Sequence, residues 1–230
     1  DYPVLGGKKV YYGYDSCGEN AVKVYSNKAD VSAEKPSHSF ADGVCTVCGD
    51  YEPATLVNDY YQISNAAQLY WFAKQVNAGQ TSINGKLTDN IVVNVNVLKA
   101  DGTLNGDGKN FRTWTPIGNN SKKYQGTFDG NGKTISGLYF NDSNTSYVGL
   151  FGYVYDGGTV RNVTVADSYI FGRDYVGSVA GVNKGTVDGC SNSGTIFGEY
   201  HVGGVVGSSG AVANCINSGE VSGSSYVGGI

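Results

Sequence analysis

The chain has 230 residues, with 35 Gly but only 4 Pro, 16% charged residues, a net charge of −4 and a pI near 5.1. So much Gly without a collagen period points to many turns, and the acidic balance argues against a nucleic-acid partner, which needs a basic face. No stretch approaches the roughly 18 apolar residues of a membrane span, so no membrane insertion is expected in this segment.

Residues 1–53 read as a small Cys/His module holding three of the five Cys and one of the two His. Strand-like pieces (Lys9 to Tyr12 and Ala21 to Tyr25) flank Cys17, and His38 precedes Cys45-Thr46-Val47-Cys48-Gly49. Cys-x2-Cys before a Gly is the shape of a zinc knuckle. Together, Cys17, His38, Cys45 and Cys48 make a Cys3His set, a full tetrahedral shell for structural Zn2+ with no open position for chemistry. Two alternatives stand beside zinc. One is a disulfide with a spare thiol, in keeping with an extracellular protein. The other is a pair of reduced, idle thiols at Cys45 and Cys48. Either cross-link staples a segment too small to hold its own core.

Glu52-Pro53-Ala54 reads as a linker, and residues 54–230 as one body. A helix is predicted over about 64–79. Ser64 can cap it, Leu69, Phe72, Ala73 and Val76 fall at i, i+3, i+4 and i+7, and Gly79 can end it. Its apolar stripe suits a lid over the open edge of a β-solenoid better than a partner site. Strands begin near residue 87, with Ile91, Val93, Val95 and Leu98. Asp101, Asn105 and Asp107 lack the EF-hand spacing and its distal Glu, so they read as plain turns rather than a Ca2+ site. Trp114 is expected in the core near a corner. Asp129-Gly130-Asn131-Gly132 reads as a turn between two strands.

Residues 147–230 repeat. Tyr147, Tyr175, His201 and Tyr226 each precede Val-Gly, and the four Val residues are 28, 26 and 25 positions apart. Gly158-Thr159-Val160, Gly185-Thr186-Val187 and Gly210-Ala211-Val212 keep the same register. So do Ile170-Phe171-Gly172, Ile196-Phe197-Gly198 and Val221-Ser222-Gly223. About 25 residues hold three short strands with corners, one coil of a solenoid. The fold class is therefore all-β, a right-handed parallel β-helix. Val160, Val163 and Val165 cannot all face inward by simple alternation, so a corner near Asn162 resets the phase. Cys190 and Cys215 share a register place with Val163, which suits a small buried hydrophobe better than an inter-coil disulfide.

The run Tyr147-Val148-Gly149-Leu150-Phe151-Gly152 resembles the GLUG motif. That motif repeats in bacterial surface proteins, adhesins and the non-catalytic regions of some immunoglobulin-A peptidases. Tyr60 to Ala73, Trp114 to Gly118 and Tyr124 to Leu138 are similar to the leader that often precedes such repeats. Leu-Phe is lost at Ser178-Val179-Ala180 and Gly204-Val205-Val206. The resemblance implies a β-solenoid on a bacterial surface, secreted and adhesin-like, and names no ligand. The absence of Met and of a leader at residue 1 reads as a signal removed or lying outside this segment.

No HExxH, GxSxG or Walker loop is present. The repeats offer Asp156, Asp167, Asp174, Asp188, Glu199 and Glu220 with Arg173 and Lys184, but only Arg173-Asp174 and Glu199 share a repeat position. A non-enzymatic surface module binding a host glycan or host surface protein is the first expectation. A glycan-processing β-helix enzyme and a purely structural stalk are the alternatives. The binding residues would be Tyr147, Tyr175, His201 and Tyr226, placed outward by alternation with the inward Val residues and stacked at about 4.8 Å. Tyr offers a large apolar face and one hydroxyl to a sugar ring. The same stack could serve only to fix register.

Overall fold

The computed structural model describes residue 17, residues 37–230 and the backbone of four short strands before residue 26. Two compact units divide the chain, Asp1–Glu52 and Pro53–Ile230.

In the first unit, Val4–Leu5 pairs antiparallel with Lys8–Lys9, and Tyr11–Tyr14 with Val22–Tyr25. Phe40–Ala41 and Val44–Cys45 form a third hairpin. Asp42 and Gly43 at its tip both have positive φ (49° and 73°), the Asp-Gly turn whose twist matches its strands. The chain then curls tightly. The Gly49 N–H donates to the Cys45 carbonyl at 2.9 Å, and the Cys45 N–H to the Asp50 carbonyl at 2.7 Å. Gly49 itself has φ +76°, which Gly adopts freely.

The second unit is a β-solenoid. Its longest ladder runs Asn84–Leu87, Thr127–Ser136, Thr159–Ala166, Thr186–Asp188 and Ala211–Ala213. A second joins Tyr139–Asn141, Tyr169–Phe171, Thr195–Gly203 and Val221–Gly228. A third joins Phe151–Val154, Ala180–Asn183 and Val206–Ser208. All these pairings are parallel. The register is the one read from the repeats: Thr159, Thr186 and Ala211 align, as do Ile170, Ile196 and Val221, and Val148, Val176, Val202 and Val227. Ile170, Ile196, Val148, Val176 and Val202 fill the interior with Phe140. The repeat glycines are needed for coil spacing. A Cβ on Gly185 would lie 2.1 Å from the Gly158 carbonyl of the preceding coil.

Three expectations need correction. First, the sheet starts well before residue 87. Tyr60–Ile63 already pairs in parallel with Asn84–Leu87, and Thr55–Val57 adds to it as an antiparallel hairpin through Asn58 and Asp59, both at positive φ. Asn-Asp was a usable turn signal, but Tyr60–Ile63 has no repeat partner at the later period. Second, the helix Ala66–Asn77 is capped by Asn65, not Ser64. The Asn65 side chain accepts from the Gln68 N–H at 2.9 Å, while the Ser64 N–H and hydroxyl donate back to Gln68 Oε1. Gly79, at φ +117°, donates to the Val76 carbonyl just past the end. Third, Asp129 to Gly132 lies inside one strand, Thr127–Ser136, as a register shift with Asn131 and Gly132 at positive φ. No reversal occurs, because both halves pair with the same next strand.

The helix follows one strand of the sheet and precedes the next. Phe72 meets Phe128 at 5.8 Å and Tyr124 at 6.2 Å between ring centroids, and Tyr70 meets Trp114 at 5.0 Å. Trp114 is 1% exposed, and its indole N–H donates to the Gly149 carbonyl. Asn162 has φ 54°, and Val160, Val163 and Val165 are all buried around it, so the phase reset is a left-handed residue. Cys190 is buried and Cys215 half-buried, both as free thiols. Next to them runs a ladder the sequence reading missed: Asn192, 1% exposed, donates to Asn217 Oδ1 at 2.8 Å. Each Asn also bonds the Gly two residues on, Gly194 or Gly219.

Candidate functional site

The column Tyr147, Tyr175, His201 and Tyr226 forms a continuous ring stack. Centroid distances are 5.2, 4.7 and 4.8 Å, with planes 13°, 16° and 6° apart. The outward direction does not come from strand alternation. All four residues are left-handed, with φ of 66°, 56°, 55° and 54°. For a side chain this bulky that conformation costs roughly 1–2 kcal/mol per residue, and the neighbouring structure must hold it. The parallel ladder does so: the Tyr147 N–H donates to the Asp174 carbonyl and the Val148 N–H to the Tyr175 carbonyl. The Val residues after Tyr147, Tyr175 and His201 are buried, while Val227 is 46% exposed. Tyr147, Tyr175 and His201 are half-buried, and Tyr226 is 74% exposed. The His201 Nδ1 is covered by the stack and has no hydrogen-bond partner among the described residues.

The rings continue sideways through residues that sequence reading missed. Tyr153 lies 6.1 Å from Tyr147, and Tyr155 lies 6.4 Å from Tyr153. Lys123 Nζ sits 4.9 and 5.0 Å from the Tyr153 and Tyr155 centroids, in cation–π range. Tyr153 aligns with Val182 and Ser208, and Val154 with Asn183, which puts Lys184 one coil on from Tyr155. The missed signal was the Tyr-x-Tyr spacing of 153 and 155, which places two rings on one side of the chain as the strand Phe151–Val154 ends. Lys123 comes from a separate loop that no periodicity marks.

Three of the six carboxylates singled out in the repeats, Asp167, Asp174 and Asp188, are engaged in structure. Asp167 accepts from the Val97 and Leu98 N–H groups. Asp174 pairs with Arg173 and Ser146, and Asp188 accepts from Asn214. In the earlier loop, Asp101 accepts from Thr103 and Asp107 from Lys109, each within its own turn, and Asn105 donates across the loop to the Asn96 carbonyl.

In the first unit, Cys17, His38, Cys45 and Cys48 converge, their ligand atoms all within 4.8 Å of one another, a set that could hold a metal ion. Cys17 Sγ is 3.3 Å from both Cys45 Sγ and Cys48 Sγ, and Cys48 Sγ is 3.4 Å from His38 Nδ1. Zinc–thiolate bonds of about 2.3 Å in a tetrahedron imply sulfur–sulfur edges of about 3.7 Å, close to these. Burial and the neighbouring Cys45 and Cys48 thiols push the Cys17 thiol up to about 12. Burial also raises Cys45. The Cys48 and Val47 amides, with the side chains of Cys17 and His38, outweigh it and bring Cys45 down to about 5. These amide and side-chain donors thus favour a thiolate within the cluster.

No family model matches the chain. Over 193 residues, 84% of its length, it is 30% identical to halomucin of Haloquadratum walsbyi, covering 2% of that protein. Over 81 residues, 34% of its length, it is 37% identical to a Gly-rich protein of Evansella cellulosilytica provisionally named a membrane protein, covering 9% of it. The chain therefore spans a small part of each relative. A solved structure from Bacteroides ovatus, provisionally named an immunoglobulin A1 protease, superposes with a TM-score of 0.43 and 16% identity over 72% of this chain and 58% of that one. Among the described residues, no helix is long and apolar enough to cross a membrane.

Proposed function

We propose that this chain is a non-catalytic, secreted or cell-surface module that binds a glycan along the Tyr147–Tyr175–His201–Tyr226 edge. The carrying observation is that four consecutive coils hold an aromatic ring in the left-handed conformation, where Gly costs nothing. A strip of rings rising from a rigid solenoid suits stacking against successive sugars. The matches to proteins named halomucin and a membrane protein support a surface location. In this reading the repeats are of the GLUG type and the coils wind to the right, as parallel crossovers do. The helix Ala66–Asn77, with Phe72 and Tyr70 against the aromatic core, closes the first coil. Cys17, His38, Cys45 and Cys48 hold a structural Zn2+ that staples the small first unit. Engagement of Asp167, Asp174 and Asp188 in backbone and side-chain bonds supports the non-catalytic reading.

A second reading has its own observation. Tyr147, Tyr175 and His201 cover each other's faces and are only half-exposed, so the stack also serves as a register ladder. A screen of the intact chain against neutral and acidic glycans separates the two. Binding to at least one glycan class is expected, and silence across all of them would leave the column as scaffold.

A further inference from the structure

One open cleft borders the aromatic column and a second adjoins it through Asn120, and their charge is unlike that of the chain as a whole. One, of about 180 Å3, is lined by Tyr147, Tyr153, Tyr175, Lys184 and Ser208, with Asn120 at its rim. The other, of about 460 Å3, shares Asn120 and brings in Lys122, Lys123 and Tyr155. Three lysines and no carboxylate line the pair, in a chain of net charge −4. The ion pairs found among the described residues are Lys109–Asp107, Arg161–Asp129 and Arg173–Asp174, and none of these three lysines takes part in one. Among the described residues, no carboxylate forms an ion pair with any of the three.

Lys123 is not a freely waving surface lysine, and the backbone of Lys184 is fixed beside it. Lys123 Nζ is held over both Tyr153 and Tyr155. Lys184 is anchored by its backbone N–H to the Val154 carbonyl, at the next coil beside Tyr155. Rings and cations therefore lie side by side on one face: Tyr175, Tyr147 and Tyr153, with Lys184 and Lys123 next to them. The clefts are open, so a chain can run through them without an end entering a pocket.

We propose that this face binds an anionic polysaccharide, its sugar rings on the tyrosines and its carboxylate or sulfate groups on Lys123 and Lys184. The inference rests on the glycan-binding reading and names the class of glycan. A ring platform supplies apolar contact that does not depend on charge, and the ammonium groups select polymers that repeat an anion every sugar or two. Local positive charge on an acidic body also speeds encounter with a polyanion while the rest of the surface repels it, which fixes where it lands. Single-stranded nucleic acid uses similar parts, but needs a basic groove tracking every phosphate, and three lysines on a net-negative chain do not supply that.

The test uses the full chain against polygalacturonate (carboxylated), dextran sulfate (sulfated), dextran (neutral), polyglutamate (anionic without sugar rings) and oligo-dT. Affinity is read by titration calorimetry at low and high salt. Binding is expected for polygalacturonate or dextran sulfate, with the stronger of the two identifying the anion. It should weaken with salt, and be at least about tenfold tighter than for dextran or polyglutamate. The K123Q/K184Q variant should lose at least about tenfold, and K123R/K184R should retain binding, with melting temperatures of all three alike. Binding of polygalacturonate and dextran sulfate no tighter than that of dextran, and unchanged in K123Q/K184Q, would overturn the anionic assignment and leave glycan binding standing. Equal or tighter binding of polyglutamate or oligo-dT would overturn it as well. No binding to any saccharide in this set or in the wider glycan screen would overturn both.

Discussion

His201 stacks on Tyr175 with ring centroids 4.7 Å apart and planes 16° from parallel, and both residues are left-handed. Two strained backbones one coil apart are thus tied by one ring contact. Such an arrangement trades backbone ease for a fixed ring position, which is the trade expected where ring position matters.

The strain gives a sharp substitution test at Tyr175. Elsewhere in a strand, Gly is worse than Ala by roughly 0.5–1 kcal/mol. At φ 56° the order should reverse. Tyr175→Ala loses the stack and keeps the strain, while Tyr175→Gly loses the stack and relieves the strain. The Ala variant should be the less stable by roughly 1 kcal/mol in denaturant unfolding. An Ala variant as stable as the Gly variant would mean that residue 175 is not held in the left-handed region.

Most of this frame was legible in the sequence. Val148, Val176, Val202 and Val227 marked the coils because a solenoid repeats its inward contacts at every turn, so register and period are the same information. Asn162 was legible as a phase reset because Val160, Val163 and Val165 cannot all face one way by alternation across six positions. The left-handed aromatics were not, since Tyr before Val-Gly carries no local turn signal of the kind Asn and Gly do. Lys123, Tyr153 and Tyr155 were not seen as one cluster because they meet through coil stacking rather than through sequence spacing. The convergence of Cys17 with Cys45 and Cys48 was readable from ligand count alone, because a Cys-x2-Cys knuckle needs two more ligands and only Cys17 and His38 lay in that unit.

Asp129 supplies a pH-dependent contribution. Burial raises its carboxyl, but the Asn131 N–H, the Arg161 guanidinium and the Asn162 amide outweigh this and hold it below the usual carboxylate range. A lowered native value means the stabilisation is full above the unfolded value of about 3.9 and is lost as pH falls through the native one. Arg161 is 43% exposed, so solvent screens the pair. Asp129→Asn should cost about 1 kcal/mol near pH 7. The gap to wild type should narrow below about pH 3.9 and close at lower pH. A gap constant across that range in pH-dependent melting would assign the cost to packing instead.

The Cys/His cluster predicts one zinc per chain by elemental analysis of protein purified without chelator. Cys48→Ser should lower that occupancy, and chelation should make residues 1–52 protease-sensitive while the solenoid keeps its strand signal. Protein without stoichiometric metal, yielding a mapped Cys45–Cys48 or Cys17–Cys45 disulfide, would contradict the zinc assignment.

The most direct measurement is glycan affinity per folded molecule for wild type and the Tyr147→Ser/Tyr175→Ser double variant, with the folded fraction taken from melting at the assay temperature. Losing two neighbouring rings should lower the melting temperature, because each cross-strand aromatic contact contributes roughly 0.2–1 kcal/mol. It should also cut affinity at least about tenfold after correction for folding, as the loss of two stacking platforms implies. A double variant that melts earlier yet binds the same glycan with unchanged affinity per folded molecule would contradict the account, and the Tyr147–Tyr226 column would be a register ladder alone.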